Sequence, residues 1–329
     1  MIKIISSEEE VGFLLPVTAQ ENYLKSITNY KYGWFVSSDF ILPFIVERKL
    51  FFKRLIFTCE VVKKIEFNDF NFSKERLFFE EVINKVKETS AHFIHQPNTN
   101  VVFNTFPIGS IEAKFGSYQV DLLKTEEDLF LSLHQKHRNV IRKSKRDGVI
   151  VKTGYTLFSD FFKVYQDTMV RQNLNYSSES DLKKMSLDLG DNVLISVAFK
   201  DEKPQGCSML LFKKGFGSYY FYGGSISSPY TGAINLMHWE NMMTMKEKGV
   251  IFYDFVGARI RPIKGGKTEG LQRFKKRFGS EMKEGYLWKH ATNKIMYRLF
   301  CMLAYINARI HRRIYTGDII DQERELNEK

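Results

Sequence analysis

Between Val149 and Phe255 the chain changes its hydrophobic period in an order that few folds accommodate. A strand-like run, Val149–Thr153, precedes two stretches at helical spacing, Ser159–Gln172 and Glu179–Leu189. Three apolar runs follow: Val193–Phe199, Gly206–Phe212 and Ser218–Gly224. They are separated by Asp201-Glu-Lys-Pro204 and Lys213-Lys-Gly215. Turn residues at that spacing close tight hairpins, so these runs predict an antiparallel meander. A long helical stretch, Ala233–Lys248, stops at Gly249, and strand Val250–Phe255 follows directly.

The first half repeats this order more faintly. Trp34–Val36, Phe40–Val46 and Leu55–Val61 read as its meander. Leu77, Phe78, Val82, Ile83 and Val86 place a helix over Ser73–Ser90, and strands are expected at Ala91–His95 and Ser117–Leu122. One helix is expected from Thr125 to about Arg146. Thr125 and Asp128 cap its start, acids crowd its first turn, cations fill its last turns, and Gly148 ends it.

Bulk properties narrow the classes. Hydrophobic residues make up 43% of 329, with 29 Phe and 16 Tyr, enough for a core in each of two domains. The net charge of +11 favours polyanionic partners. Cys59, Cys207 and Cys301 lie far apart in no metal spacing, which predicts a reducing compartment, no disulfide and no metal site. Met1–Glu10 does not read as a signal peptide, and no apolar run reaches the ~18 residues of a membrane span. Neither G-x-S-x-G nor a phosphate-binding P-loop occurs, and the seven His show no paired spacing.

Three segments carry candidate chemistry. Lys136–Arg146 holds six cations in eleven residues, and Arg138, Arg142 and Lys145 share one helical face. Such a face suits phosphates, or is a solvated helix end favoured by the dipole. Tyr253–Gly279 brings Asp254 and Gly257 from a strand into a basic loop, then an amphipathic stretch with Phe274 and Lys275. Its Leu271, Phe274 and Phe278 also fit an ordinary apolar stripe. Lys294–Arg313 is a basic amphipathic helix with Ile295, Leu299, Met302, Leu303, Ile306 and Ile310 on one side, suited to an anionic membrane or to packing on the protein.

Two of these segments resemble the Fem-type (FemABX) peptidyl transferases, aminoacyl-tRNA-dependent ligases with GNAT-like folds that build peptidoglycan cross-bridges. The late block follows "YDFGG … GL-x-x-FK-x-x-FG", with Val256 where the pattern has its first Gly. The basic segment follows "K-x-R-x-x-I-R-K-A-x-K-x-G-V" through Lys136, Arg138, Ile141, Arg142, Lys143, Gly148 and Val149. Ser144 replaces Ala, and Arg146 replaces the second Lys. The resemblance implies an α/β (α+β) chain of two GNAT-like domains with mixed, largely antiparallel sheets. Its expected division is a degenerate copy over 1–146, a second over 147–290, and a helix and tail over 291–329, with the two domains facing a cleft.

The resemblance also assigns roles. Lys275 would be catalytic, its ammonium stabilising the oxyanion formed when an amine attacks an aminoacyl ester. Phe274, Arg138, Arg142, Lys143, Tyr222 and Asp254 would bind substrate. The donor would be aminoacyl-tRNA and the acceptor a nucleotide- or lipid-linked cell-wall precursor. The expected location is the cytoplasm, at the inner face of the membrane, with no metal and no cofactor. Ser225–Asn235 has one Gly-Ala pair, no Arg or Gln at its head, and Pro229 in place of an amide donor, so it makes a poor pyrophosphate cradle. An acyl-CoA or carrier donor therefore belongs to the alternative, an N-acyltransferase acting on an amino sugar in surface-polysaccharide synthesis. A basic RNA-binding module without catalysis is a third reading.

Overall fold

A computed structural model describes residues 2–64, 71–262, 264–312 and 314–327. The chain forms two compact units. Unit 1 comprises 1–116, 257–262 and 283–329; unit 2 comprises 117–256 and 263–282. These limits differ from a division at 146/147, because both helices around 126–146 fall in unit 2 and the chain returns to unit 1 after residue 282.

The chain opens with β1 (Lys3–Ile5), α1 (Glu8–Val11) and α2 (Glu21–Ile27). Next come β2 (Lys31–Val36), β3 (Phe40–Lys49), β4 (Phe52–Phe57), β5 (Val62–Lys63), α3 (Phe72–Lys85) and β6 (Phe93–Ile94). β7 (Ile111–Asp121) enters unit 2, followed by α4 (Glu126–Ser132), α5 (Gln135–Arg146), β8 (Ile150–Thr153), α6 (Phe158–Arg171) and α7 (Glu179–Leu189). A second meander, β9 (Val193–Lys200), β10 (Lys203–Phe212) and β11 (Gly217–Ser225), leads to α8 (Ala233–Glu247) and β12 (Phe252–Asp254). The chain ends with α9 (Lys267–Lys276), β13 (Glu281–Lys289), α10 (Lys294–Ile310) and α11 (Ile319–Asn327).

The expected duplication is present in the topology. In unit 1, β2, β3 and β4 are antiparallel, α3 crosses over, and β6 joins β4 in parallel. In unit 2, β9, β10 and β11 are antiparallel, α8 crosses over, and β12 joins β11 in parallel. Parallel neighbours need a crossover of a dozen or more residues, which α3 and α8 supply. The sheet orders are β1-β2-β3-β4-β6, with β5 on β3, and β7-β12-β11-β10-β9-β8, with β13 beyond β7.

Aromatic rings fill unit 1. Phe35, Phe44, Phe57, Phe79, Phe103 and Trp288 are fully buried together, and Trp288 lies 5.1–5.7 Å from Phe57, Phe79 and Phe103. In unit 2, α8 buries Leu236, Met237, Met242 and Met245, while its Asn241 bonds Ser208 at 2.8 Å and Ser196 at 2.6 Å. A buried amide with both ends paired fixes the helix's register on the sheet.

Several elements depart from the sequence reading. β1 to α2, β5, β13 and α11 are unforeseen, and β7 begins at Ile111 rather than Ser117. Arg313, the last residue of the expected terminal helix, lies outside the described residues. The single helix over 125–146 is two helices, because Leu133 is extended at ψ 139° and His134 caps α5 by accepting from the Lys136 amide. The i, i+4 recurrence of Leu129, Leu133 and His137 crosses the break, which hides it from periodicity. Arg138 reaches back to donate to the carbonyls of Leu131 (2.7 Å) and Leu133, closing the C-terminus of α4. Arg138→Ala should therefore destabilise the fold by about 1–2 kcal/mol, the value of charged donors discounted for partial exposure. Arg142→Ala should cost under about 1 kcal/mol, since its contact is an exposed one over the Phe130 ring. Urea midpoints at unchanged slope would measure both.

Candidate active site

The strand end at Asp254 is the polar centre of unit 2. Asp254 is 1% exposed, yet its carboxylate is well supplied with donors. Ser117 Oγ donates to Oδ1, and Gln119 Nε2 donates to Oδ2 at 2.7 Å. Both donors come from β7, whose alternation puts Ser117 and Gln119 on one face, and Gln119 stands directly across from Asp254. The Val256 amide donates to Oδ1 at 2.7 Å, which curls the chain back on itself.

That curl forces Val256 to φ +43°, in the left-handed region that β-branched residues avoid. Gly257 follows at φ +59°. The pattern glycine that Val256 replaces is thus one the backbone would favour. Here the Asp254 bond and the next contact hold the conformation against its strain.

The Val256 carbonyl accepts from Lys275 Nζ. Lys275 sits in the last turn of α9 and is 6% exposed. Burial pulls its pKa from 10.5 down to about 8, while the nearby Asp254 charge pushes it back up. At neutral pH the side chain is therefore mostly an ammonium, close to the point where it can release a proton.

Phe274 is half-buried beside it. Its ring centroid lies 5.2 Å from His137, 5.8 Å from His238 and 5.1 Å from Phe278. Phe255 and Tyr253 complete this aromatic wall. Burial lowers the pKa of His238 to about 3 and of His137 to about 4, so both imidazoles are neutral. His238 Nδ1 lies 2.9 Å from Tyr253 Oη. A wall of neutral rings keeps the dielectric low around Lys275 and strengthens the field of its ammonium.

The remaining expected residues lie elsewhere. Arg138 caps α4. Arg142 lines an open cavity of about 530 Å³ with Glu126, Glu127, Phe130, Lys145 and Trp239. Lys143 is exposed, bonds Asp147 at 2.5 Å and Tyr230 Oη at 3.2 Å, and ties the end of α5 to the loop before α8. Tyr222 packs edge-on to Tyr165 at 5.9 Å, and burial pushes its phenol up to about 12. The structure thus gathers Asp254, Phe274 and Lys275 and leaves Arg138, Arg142, Lys143 and Tyr222 outside that group.

Sequence reasoning missed Ser117, Gln119, His137 and His238. For the first two a signal existed: polar residues at alternate positions that continue the face of the apolar Ala113 and Phe115. The two histidines gave none, because their partners are remote in sequence. Gly232, at the head of α8 with φ +88°, has a packing role. A methyl there would lie 2.4 Å from the Val140 carbonyl of α5.

Residues 108–203 match the FemAB family. That segment includes the α5 signature, and the Fem-type resemblance stands. The fold is GNAT-like. The crystal structure of FemX superposes with a TM-score of 0.68 at 13% identity, covering 91% of this chain and 99% of that one. The C-terminal domain of a putative lysylphosphatidylglycerol synthetase from Agrobacterium fabrum gives 0.51 at 14%, covering 83% and 89%. A tandem GNAT protein of the clavulanic acid pathway gives 0.51 at 7%, covering 88% and 98%. At these identities the structural likenesses show the fold alone. No curated protein matches by sequence.

Two expectations follow from this geometry. Val256→Gly should stabilise the protein by about 1 kcal/mol, left-handed strain outweighing glycine's unfolded-state entropy, as a rise in thermal midpoint would show. Lys275 has a depressed folded pKa, so between pH 8 and 10.5 the unfolded chain binds more protons than the folded one. Its burial cost is in full force below pH 8 and is relieved as pH rises toward 10.5. Wild-type stability relative to Lys275→Met should therefore climb across that window, by up to about 3 kcal/mol. Denaturant midpoints of both proteins at its two ends would read it.

Proposed function

We propose that the chain is a Fem-type aminoacyltransferase that moves an aminoacyl group from aminoacyl-tRNA to an amine of a peptidoglycan-type precursor. The observation that carries this reading is Lys275. It is a buried ammonium held by the Val256 carbonyl beside Asp254, at the position where the sequence block resembles the Fem pattern.

The reaction needs little more than position and charge. The acceptor amine attacks the ester carbonyl, the C–N bond forms, and negative charge develops on the carbonyl oxygen. A preorganised ammonium in a dry site stabilises that oxyanion without reorganising water. The ester C–O bond then breaks, and the proton that the attacking nitrogen gives up is taken by the departing ribose oxygen, which leaves as a hydroxyl. Asp254 holds the charge of Lys275 in place. Phe274 gives the donor's terminal base or ester an aromatic surface.

Aminoacyl-tRNA is favoured over acyl-CoA because the glycine heading α8 serves contact with α5, and the preceding loop is tied by Tyr230 to Asp147 at 2.6 Å. Purified protein offered charged tRNA or acetyl-CoA, with a precursor extract as acceptor and mass detection, decides between them. Turnover with charged tRNA is expected, with no saturable acetyl-CoA binding up to about 1 mM. A micromolar acetyl-CoA affinity would overturn the reading in favour of an amino-sugar acyltransferase.

Lys275→Ala should lower turnover by roughly 10²–10³, with little change in substrate binding. Lys275→Arg should recover part of that loss and move the alkaline limb of the pH profile upward from about 8, since guanidinium stays charged. Lys276→Ala, at an exposed position of α9, should be nearly silent. Equal effects of the two alanine variants would remove Lys275 from the reaction.

A further inference from the structure

Unit 1 carries an apolar, basic surface that the transfer reaction does not use. No residue of α10 is buried. One side of it rests on the unit: Phe300 meets Phe52 at 5.3 Å and Phe93 at 5.2 Å, and Tyr297 meets Phe93 at 5.3 Å. At about 100° per residue, Ile295, Leu299, Met302, Ile306 and Ile310 fall on the opposite side. Ile295 is 79% and Ile310 71% exposed, and beyond the helix Ile314 and Tyr315 continue the exposed apolar run. Lys294, Arg298, Arg309 and Arg312 accompany the stripe, and no acid occurs from 294 to 312.

The β3–β4 hairpin adds a second apolar element. Lys49 pairs with Phe52, so Leu50 and Phe51 make a two-residue turn. Leu50 has φ +56°, a turn position that favours glycine or asparagine. It is nevertheless a leucine, 73% exposed, followed by an exposed phenylalanine. Phe51 lies tilted against Phe52 at 4.2 Å, and Phe52 in turn meets Phe300, so hairpin and helix are linked through one aromatic chain. Arg48, Lys49 and Lys53 surround the tip. A strained turn that displays large apolar side chains among cations is costly in water unless something apolar and anionic receives it.

We propose that α10 and the β3–β4 tip form one docking face for an anionic lipid bilayer. The α10 stripe and Leu50–Phe51 enter the headgroup–acyl boundary, while Arg298, Arg309, Lys49 and Lys53 meet lipid phosphates. Tyr305 and Tyr315, 6.1 Å apart and edge-on, suit the interfacial level. Charge selects the bilayer over a second copy of the chain. A two-fold contact through the α10 stripe would set acid-free cationic helices against each other.

The proposal does not rest on the transferase reading, and its test is separate. Full-length protein is floated with vesicles of phosphatidylcholine alone or mixed with phosphatidylglycerol, at low and high salt. It should float with the anionic vesicles, and salt should weaken that binding. Arg298→Ala with Arg309→Ala should lower the partition coefficient about 30-fold, at ~1 kcal/mol per basic residue. Ile306→Ser with Ile310→Ser should lower it by at least about tenfold. Leu50→Gly should lower it several-fold while its thermal midpoint holds or rises, since glycine fits the turn; weaker binding is then not a folding defect.

Turnover on a soluble, nucleotide-linked acceptor should be unchanged in all of these variants. Absence of flotation at low salt would overturn the proposal, as would variants that bind like wild type. So would light scattering that shows a dimer dissociated by the Ile306/Ile310 pair.

Discussion

The ammonium of Lys275 inside unit 2 is the interaction on which the candidate site depends. Nothing about an amphipathic α9 requires a lysine to point inward, and burial alone would favour its neutral form. Two features keep it charged: the Val256 carbonyl, which accepts its hydrogen bond, and the Asp254 carboxylate nearby. Asp254 in turn needs Ser117, Gln119 and the Val256 amide. The left-handed backbone at Val256 is what lets a single residue present its N–H to the carboxylate and its C=O to the lysine. Strand β7, the end of β12 and the last turn of α9 are thereby joined through one residue, Val256.

Much of the fold is readable from the sequence because its information is local. The second meander, α7 and α8 come within three residues of their expected limits, since turn residues and period changes mark each boundary. The site is readable only where a pattern names it. Phe274 and Lys275 look like a core residue and a surface residue by periodicity, and the Fem-type resemblance alone singles them out. Arg138 shows the reverse error. Its spacing with Arg142 and Lys145 looks like a phosphate-binding face, but spacing cannot reveal that the helix is broken and that its new end needs a cap. His238 is legible only in three dimensions, because its partner Tyr253 lies 15 residues away in sequence.

The two units share an order of elements but not a chemistry. In unit 2 the parallel strand after the crossover helix ends at Asp254. In unit 1 the corresponding strand, β6, is followed by His95, which burial holds neutral with a pKa of about 3. His95 packs against the Phe93 and Phe300 rings, and Asp318, ion-paired to the buried Lys289, lies 3.8 Å from its Nδ1. The first copy keeps the sheet and crossover, carries an aromatic core, and supports α10 and the hairpin tip. The second copy keeps the strand-end carboxylate.

Unit 2 tolerates a depressed lysine and a strained valine at the same point, and both are local costs. A hydrophobic residue at 275 and a glycine at 256 would each relieve one of them. The surrounding packing is therefore what sustains the site: Phe278 and Tyr253 fully buried, His238 neutral between them, and Asn241 locking α8 to the sheet. A loosened wall would admit water and return Lys275 toward an ordinary surface lysine, with its field screened and its pKa higher. The rigidity of the aromatic wall and the reactivity of Lys275 are thus one property, set by how completely the rings around Phe274 exclude solvent.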